Sequence, residues 1–110
     1  SLMAITSIQS GSITTDGSEQ TIGSAVTDDA AFTGYLDMTN STSGETIVIK
    51  IKVRISGTSD IVMIKDTFVG AQDEPLYHFP PITSSENFTW TVEKTGGTNR
   101  AYTYRLYQVV

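Results

Sequence analysis

The stretch that decides the fold is residues 45–56, which read ETIVIKIKVRIS. The positions between its aliphatic residues are mostly polar or cationic, and Val48 is the one apolar exception. Because successive side chains of a β-strand point to opposite faces, this alternation predicts a long central strand with a dry face and a wet, cationic face. The dry face consists of β-branched residues, which suit a half-buried sheet: Ile47, Ile49, Ile51, Val53 and Ile55.

The residues after this strand predict its hairpin partner. Residues 57–60 read GTSD, a short turn sequence, and residues 61–68 follow as a second apolar-rich strand. If the two strands pair close to this turn, the dry face gains Val62, Ile64 and Phe68. The wet face then gains Met63, Lys65 and Thr67.

Short strands separated by turn residues recur along the whole chain, and no helical periodicity interrupts them. We expect Pro80 and Pro81 to end the strand that precedes them, and Phe88, Trp90 and Val92 to point into a core. Besides the central hairpin, strands are expected at 4–8 with a continuation at 13–15, and at 19–22, 31–38, 76–79, 87–94 and 101–110.

This pattern predicts an all-β fold: a two-sheet antiparallel β-sandwich of jelly-roll or Greek-key type, with about seven or eight strands. An immunoglobulin-like topology is the alternative. A length of 110 residues predicts a single domain spanning residues 1–110. Within it, residues 1–2, which precede Met3, are interpreted as an expression scar.

Composition narrows the classes of function. The chain has no cysteine, which excludes disulfides and thiolate zinc sites. Its net charge is -5, which argues against nucleic acid as a partner. No apolar run approaches the ~20 residues of a membrane span, and the chain does not open on a signal segment, so no membrane partner is expected.

Candidate catalytic groups are sparse. His78 is the only histidine, and its spacing from Asp73 and Glu74 matches no metal motif. The two acidic pairs, residues 28–29 and 73–74, are sequence neighbours, whereas paired catalytic carboxylates must face each other across a substrate. We therefore expect no enzymatic activity, no cofactor and no catalytic or metal site, with calcium at an acidic loop as the open alternative.

Two sets of side chains are candidates for an interaction surface. The first, the cationic face, comprises Lys50, Lys52, Arg54 and Lys65 on the wet side of the central hairpin. It is either a docking surface, for an acidic neighbour or for nucleic acid, or a solubilising face that deters edge-to-edge pairing. The second is exposed tyrosine: Tyr35 and Tyr107 on outer strand faces and Tyr77 near a loop, suited to protein contacts or to sugar stacking.

Three stretches carry a resemblance to known proteins: residues 14–22 (TTDGSEQTI), 44–49 (GETIVI) and 95–101 (TGGTNRA). Together they resemble small all-β proteins of tailed viruses, prophages and environmental viral genomes. Some such β-sandwich proteins decorate or cement capsids, often as trimers. The resemblance implies a non-enzymatic capsid decoration or minor virion component that contacts copies of itself and other virion proteins, and is located in the virion. A carbohydrate-binding sandwich that uses exposed tyrosines is the alternative.

Overall fold

A computed structural model describes residues 4–110 and contains no helix in that range, hence none that could cross a membrane. The interpretation of residues 1–2 as an expression scar lies outside the described residues. The described chain forms eight β-strands: β1 (Ile5–Thr14), β2 (Glu19–Thr21), β3 (Ala30–Asp37), β4 (Thr46–Arg54), β5 (Ile61–Val69), β6 (Leu76–Ser84), β7 (Asn87–Gly96) and β8 (Ala101–Val109).

The strands form two antiparallel four-stranded sheets with the orders β1-β8-β3-β6 and β2-β7-β4-β5. The first strand pairs with the last, the second with the seventh, the third with the sixth and the fourth with the fifth. This nesting is that of a long antiparallel ribbon rolled into two sheets, which is the jelly-roll order. The predicted β-sandwich is therefore confirmed, and its strand order differs from the immunoglobulin-like alternative.

The dry face of β4 lies on the core as predicted. Ile47, Ile49 and Ile51 are almost completely buried, and so are Phe88 and Trp90 on the adjacent strand β7. Fully burying an aliphatic side chain of this size contributes about 1.5–3 kcal/mol. Aromatic side chains from the two sheets contact each other in the core. Phe88 stacks on Phe32 with ring centroids 4.9 Å apart, and Trp90 meets Phe79 edge-on at 5.1 Å.

The predicted dry face is too long at its carboxyl end. Strand β4 ends at Arg54, and Ile55 lies beyond the ladder with 84% of its surface exposed. The prediction for Val62 is also wrong, because the β4–β5 register shifts after Ile51 and places Val62 opposite Lys52 on the outer face. A bulge adds one residue on one side of a ladder, which reverses the faces of the residues beyond it.

Two predicted strand breaks are absent. Strand β1 continues through residues 10–12, and β6 continues through Pro80 and Pro81 to Ser84. Proline has no backbone N–H to donate to a neighbouring strand. Strand β6 is an edge strand with a partner on one side only, so it can include two prolines. The β3–β6 register shifts between Phe32 and Gly34 beside these prolines.

Candidate interaction surfaces

The cationic face lies where the alternation predicts, on the outer side of sheet β2-β7-β4-β5. Lys65 is directly opposite Lys50 in the β4–β5 ladder, so the predicted grouping of these two lysines is confirmed. The sheet also brings Glu19 of β2 to the same face. Lys52 Nζ lies 2.7 Å from Glu19 Oε2, and Lys50 Nζ lies 3.7 Å from Glu19 Oε1. Two of the four cations thus share one carboxylate.

The third cation is also paired. Arg54 Nε donates to Asp60 Oδ1 over 2.9 Å, and Asn87 Nδ2 donates to the same oxygen over 3.1 Å. The Asn87 amide, followed by Arg54, lowers the pKa of Asp60. Among residues 4–110, Lys65 is the one member of this face without a carboxylate oxygen within 4.0 Å.

These ion pairs reduce the net positive charge of the cationic face. The Lys52 ammonium, followed by the Thr91 hydroxyl, lowers the pKa of Glu19. Glu19 and Asp60 are therefore ionised at neutral pH, and together they offset half of the formal charge of the four cations. Half-exposed ion pairs of this kind contribute about 0–1 kcal/mol each.

The predicted tyrosine positions divide between the surface and the core. Tyr35 and Tyr107 lie on the outer face of sheet β1-β8-β3-β6, with ring centroids 6.2 Å apart and ring planes at 85°. Tyr77 is buried instead, because it shares the inward side of β6 with Phe79. Its hydroxyl donates to Asp66 Oδ2 over 2.7 Å, and burial, followed by this carboxylate, raises the pKa of Tyr77. The three tyrosines do not form one coplanar platform.

An exposed apolar surface lies at the end of the β4–β5 hairpin, and we call it the hairpin end. It consists of four large side chains that are between 45% and 84% exposed: Ile55, Ile61, Val62 and Met63. Beside it opens a groove of about 580 Å³, whose walls come from β4–β5 on one side and from Pro81 and Ile82 of β6 on the other. Large apolar side chains exposed together at one end of a hairpin are typical of an interaction site.

The topology explains why this surface is open. Strand β5 is the last strand of one sheet and β6 the last strand of the other, so neither has a neighbour beyond it. An edge strand presents unpaired backbone groups, and natural proteins usually protect such edges with charges or prolines. Here Lys65 and the Pro80–Pro81 pair provide that protection in mid-strand. Residues Ile61 to Met63 have no charged residue among them.

A buried ion cluster lies at the opposite end of β4. Glu45 and Lys94 are each only 3% exposed, although both carry a charge. Lys94 Nζ donates three hydrogen bonds: to Glu45 Oε1 over 2.9 Å, to the Thr98 carbonyl over 2.8 Å and to the Tyr102 hydroxyl over 2.8 Å. All three ammonium protons therefore have acceptors, as a buried charge requires.

The second carboxylate oxygen of Glu45 completes the ion cluster. Arg100 Nε and Nη2 donate to Glu45 Oε2 over 2.9 and 2.7 Å, and Thr42 Oγ1 donates to it over 2.7 Å. Arg100, followed by Lys94, holds the pKa of Glu45 far below its ordinary value of 4.5. A carboxylate that is ionised and held by these hydrogen bonds cannot serve as a general acid near neutral pH. The ion cluster instead connects the loop before β4 to the β7–β8 turn.

The remaining candidate groups are His78 and the two acidic pairs. Within residues 4–110 the structure contains no group of three or more His, Asp or Glu side chains that could hold a metal ion. His78 Nε2 lies 2.8 Å from Thr33 Oγ1. The acidic residues 28–29 and 73–74 are exposed in loops, as expected for solvated carboxylates.

The ion cluster and the hairpin end are the features that sequence reasoning missed. The signal for the first was present, because Lys94 continues the inward alternation of Trp90 and Val92 along β7. The signal for the second was a pair of apolar residues, Ile55 and Ile61, that directly flank a polar turn.

Comparison with known proteins gives no match among family models, curated proteins or solved structures.

Proposed function

We propose that this protein is a non-enzymatic structural protein that associates with copies of itself through the hairpin end. The observation that carries the proposal is the exposure of four large apolar side chains beside an apolar groove at one end of the β4–β5 hairpin. Removing apolar surface from water contributes roughly 25 cal/mol per Å², so covering these side chains is favourable.

A second copy of the chain fits this surface for two reasons. An apolar patch is complementary to itself, and a two-fold axis places the same patch on both partners. The rim also carries charges of both signs, since Arg54 and Asp60 lie side by side next to Ile55 and Ile61. Across a two-fold axis, Arg54 of one copy can face Asp60 of the other, so the rim is complementary as well.

The wider role that we propose is a capsid decoration or minor virion component, located in the virion and contacting other virion proteins. The resemblance of the three sequence stretches to small viral β-proteins supports this role. The jelly-roll order is a weaker support, because viral capsid proteins share it with lectins and cupins, and a fold by itself does not define a function. The order of neighbouring genes tests the role: flanking portal, protease and major capsid genes support it, and flanking metabolic genes contradict it.

Cysteine trapping tests the contact, because the chain has no cysteine of its own. Ser59→Cys places a single thiol in the turn of the hairpin, and the matched control Ser43→Cys places one in the loop at the other end of β4. With a flexible bis-maleimide at micromolar protein concentration, we expect covalent dimer from Ser59→Cys and monomer from Ser43→Cys. Equal cross-linking of the two variants would contradict the proposed contact.

The oligomer size tests the two-fold arrangement. A two-fold contact uses one surface twice and gives dimers, whereas a trimer, the form that the resemblance implies, needs a second complementary surface. A Ser59→Cys chain carries one thiol and can give no cross-linked species larger than a dimer, so the arrangement is tested with two thiols per chain, and a dimer as the largest species then supports the two-fold contact. Extended ladders of cross-linked species from a variant with two thiols, Ser59→Cys with Ser43→Cys, would indicate a heterologous contact instead.

A further inference from the structure

A second open cavity lies on the other sheet, away from the hairpin end. It has a volume of about 530 Å³ and is on the outer face of sheet β1-β8-β3-β6. Small-molecule sites typically measure about 300–1,000 Å³ and combine an aromatic or apolar wall with a few polar groups. This cavity has that composition, with walls that include Ser10, Tyr35, Asp37, Leu76, Thr103 and Arg105.

The ring of Tyr35 is held in place from its other sides. The His78 ring lies 4.7 Å from it at an angle of 31°, and the Tyr107 ring meets it edge-on at 6.2 Å. Neither His78 nor Tyr107 lines the cavity. Tyr35 is therefore a fixed aromatic surface in the cavity wall, and His78 and Tyr107 are positioning residues.

A hydrogen-bond chain fixes the His78 ring in turn. Thr33 Oγ1 has one proton and donates it to the Phe79 carbonyl over 2.7 Å. The same hydroxyl oxygen lies 2.8 Å from His78 Nε2, so this nitrogen carries the proton and donates it. The chain from β6 through Thr33 thus orients the imidazole that packs against Tyr35.

The two charged groups of the cavity have free hydrogen-bonding capacity. Within residues 4–110, both hydrogen bonds to Asp37 come from Thr39 and reach Oδ1, and Arg105 donates one bond, from Nη1 to Ser7 Oγ over 2.7 Å. Asp37 Oδ2 and the remaining guanidinium protons are therefore open to a ligand. The Thr39 hydroxyl, followed by the Thr39 backbone N–H, lowers the pKa of Asp37, so its carboxylate is an acceptor at neutral pH.

The register sets the spacing of these groups. Arg105 is directly opposite Tyr35 in the β3–β8 ladder, and Asp37 lies two residues further along β3 on the same face. Diagonal neighbours of this kind are about 7–8 Å apart. Among the described residues, the two charged groups form no ion pair with each other within 4.0 Å. An acceptor and a donor therefore flank one aromatic ring across a gap that a single ligand ring can span.

We infer that this cavity binds a neutral saccharide. The C–H face of a sugar ring would pack on Tyr35, while its hydroxyl groups donate to Asp37 Oδ2 and accept from Arg105. A neutral polyol suits the site better than a charged ligand, because the carboxylate and the guanidinium offset each other. This inference is independent of association through the hairpin end.

Ligand-detected saturation-transfer NMR tests the inference. The probes are glucose, galactose, mannose, N-acetylglucosamine, lactose and maltose at millimolar concentration. We expect transfer to at least one of them, and we expect Tyr35→Ala and the isosteric change Asp37→Asn each to raise its Kd about tenfold or more. The matched control Thr67→Ala, on the outer face of the other sheet, should bind as the wild type does.

Two results would overturn the inference: no transfer to any of the sugars, or binding that survives both Tyr35→Ala and Asp37→Asn in folded protein. Circular dichroism of each variant establishes that it is folded. His78→Ala separates positioning from contact, because it should weaken binding less than Tyr35→Ala does.

Discussion

The two ends of strand β4 differ from each other, and at both ends the usual pattern of buried apolar and exposed charged residues is reversed. At its beginning, Glu45 and Lys94 are charged and buried, and at its end, Ile55 and Ile61 are apolar and exposed. The buried charges have hydrogen-bond partners within the chain, whereas nothing among the described residues covers the isoleucines. The first end therefore contributes to the fold of one molecule, and the second is suited to contacts between molecules.

The two ends can be tested separately. Strand β4 has nine residues, and at about 3.3 Å per residue its ends are roughly 30 Å apart. Substitutions further apart than about 10 Å without shared partners usually have additive effects on the free energy of unfolding. Changes in the ion cluster should alter stability, and changes in the hairpin end should alter association.

The largest expected effect on stability comes from Lys94→Ala. It removes three hydrogen bonds and leaves buried Glu45 with Arg100 as its remaining cation. Breaking a buried ion pair by removing one partner usually costs about 3–5 kcal/mol. Urea unfolding should show this loss, whereas the exposed control Lys65→Ala should change the free energy of unfolding by less than about 0.5 kcal/mol. A similar small change for both lysines would contradict a stabilising role of the cluster.

Tyr102→Phe should have a smaller effect on the same cluster. The ring stays buried, but Lys94 Nζ loses one acceptor and Ser41 Oγ loses its 2.7 Å contact with the tyrosine hydroxyl. Leaving a buried group without its partner costs about 1–3 kcal/mol. Tyr107→Phe is the matched control on the outer face. If both variants unfold at the wild-type urea concentration, the Tyr102 hydroxyl contributes nothing.

The ion cluster also predicts a dependence of stability on pH. Because the pKa of Glu45 is lowered in the folded state, its contribution is fully present above about pH 4.5 and is lost as the pH falls towards the folded value. Glu45→Gln removes this group, so proton uptake on unfolding below pH 4.5 should fall by up to about one proton. Urea unfolding between pH 2.5 and 6 measures the slope. Glu19→Gln, at a half-exposed pair, should change it less, and the reverse order would refute the assignment.

The smallest stability effect is expected at the hairpin end. Ile61→Thr keeps a β-branched side chain at an exposed position and should change the free energy of unfolding of the dilute chain by less than about 0.5 kcal/mol. The control Ile51→Thr, at a buried position opposite Ile64, should cost about 2 kcal/mol or more, because it places a hydroxyl in the core. Equal losses would mean that Ile61 belongs to the core of the monomer.

The sequence predicted the fold well where local alternation decides the structure. The dry face of β4 and the inward residues of β7 were predicted because a strand's faces follow directly from its alternation. The errors at Val62 and in β6 arise from register shifts, which depend on how two strands meet. No local pattern specifies them, because a bulge is set by its pairing partner.

The candidate interaction surfaces were harder to predict from the sequence than the fold was. The alternation placed Lys50, Lys52 and Lys65 on one face but could not show that Glu19, from a distant strand, neutralises part of it. Burial of Tyr77 depends on which side of β6 faces the core, and Tyr77 shares that side with Phe79. The exposure of the hairpin end depends on the topology, which places β5 and β6 at the edges of their sheets.

Sedimentation velocity over a micromolar to millimolar range of protein concentration tests the central claim most directly. The account predicts that the wild-type chain of 11.9 kDa forms a species of twice that mass as its concentration rises. The double variant Ile55→Asp with Ile61→Asp should remain a folded monomer, and Val69→Asp, at an exposed position on the far end of β5, should dimerise as the wild type does. A wild-type protein that sediments as a monomer at every concentration would contradict the account.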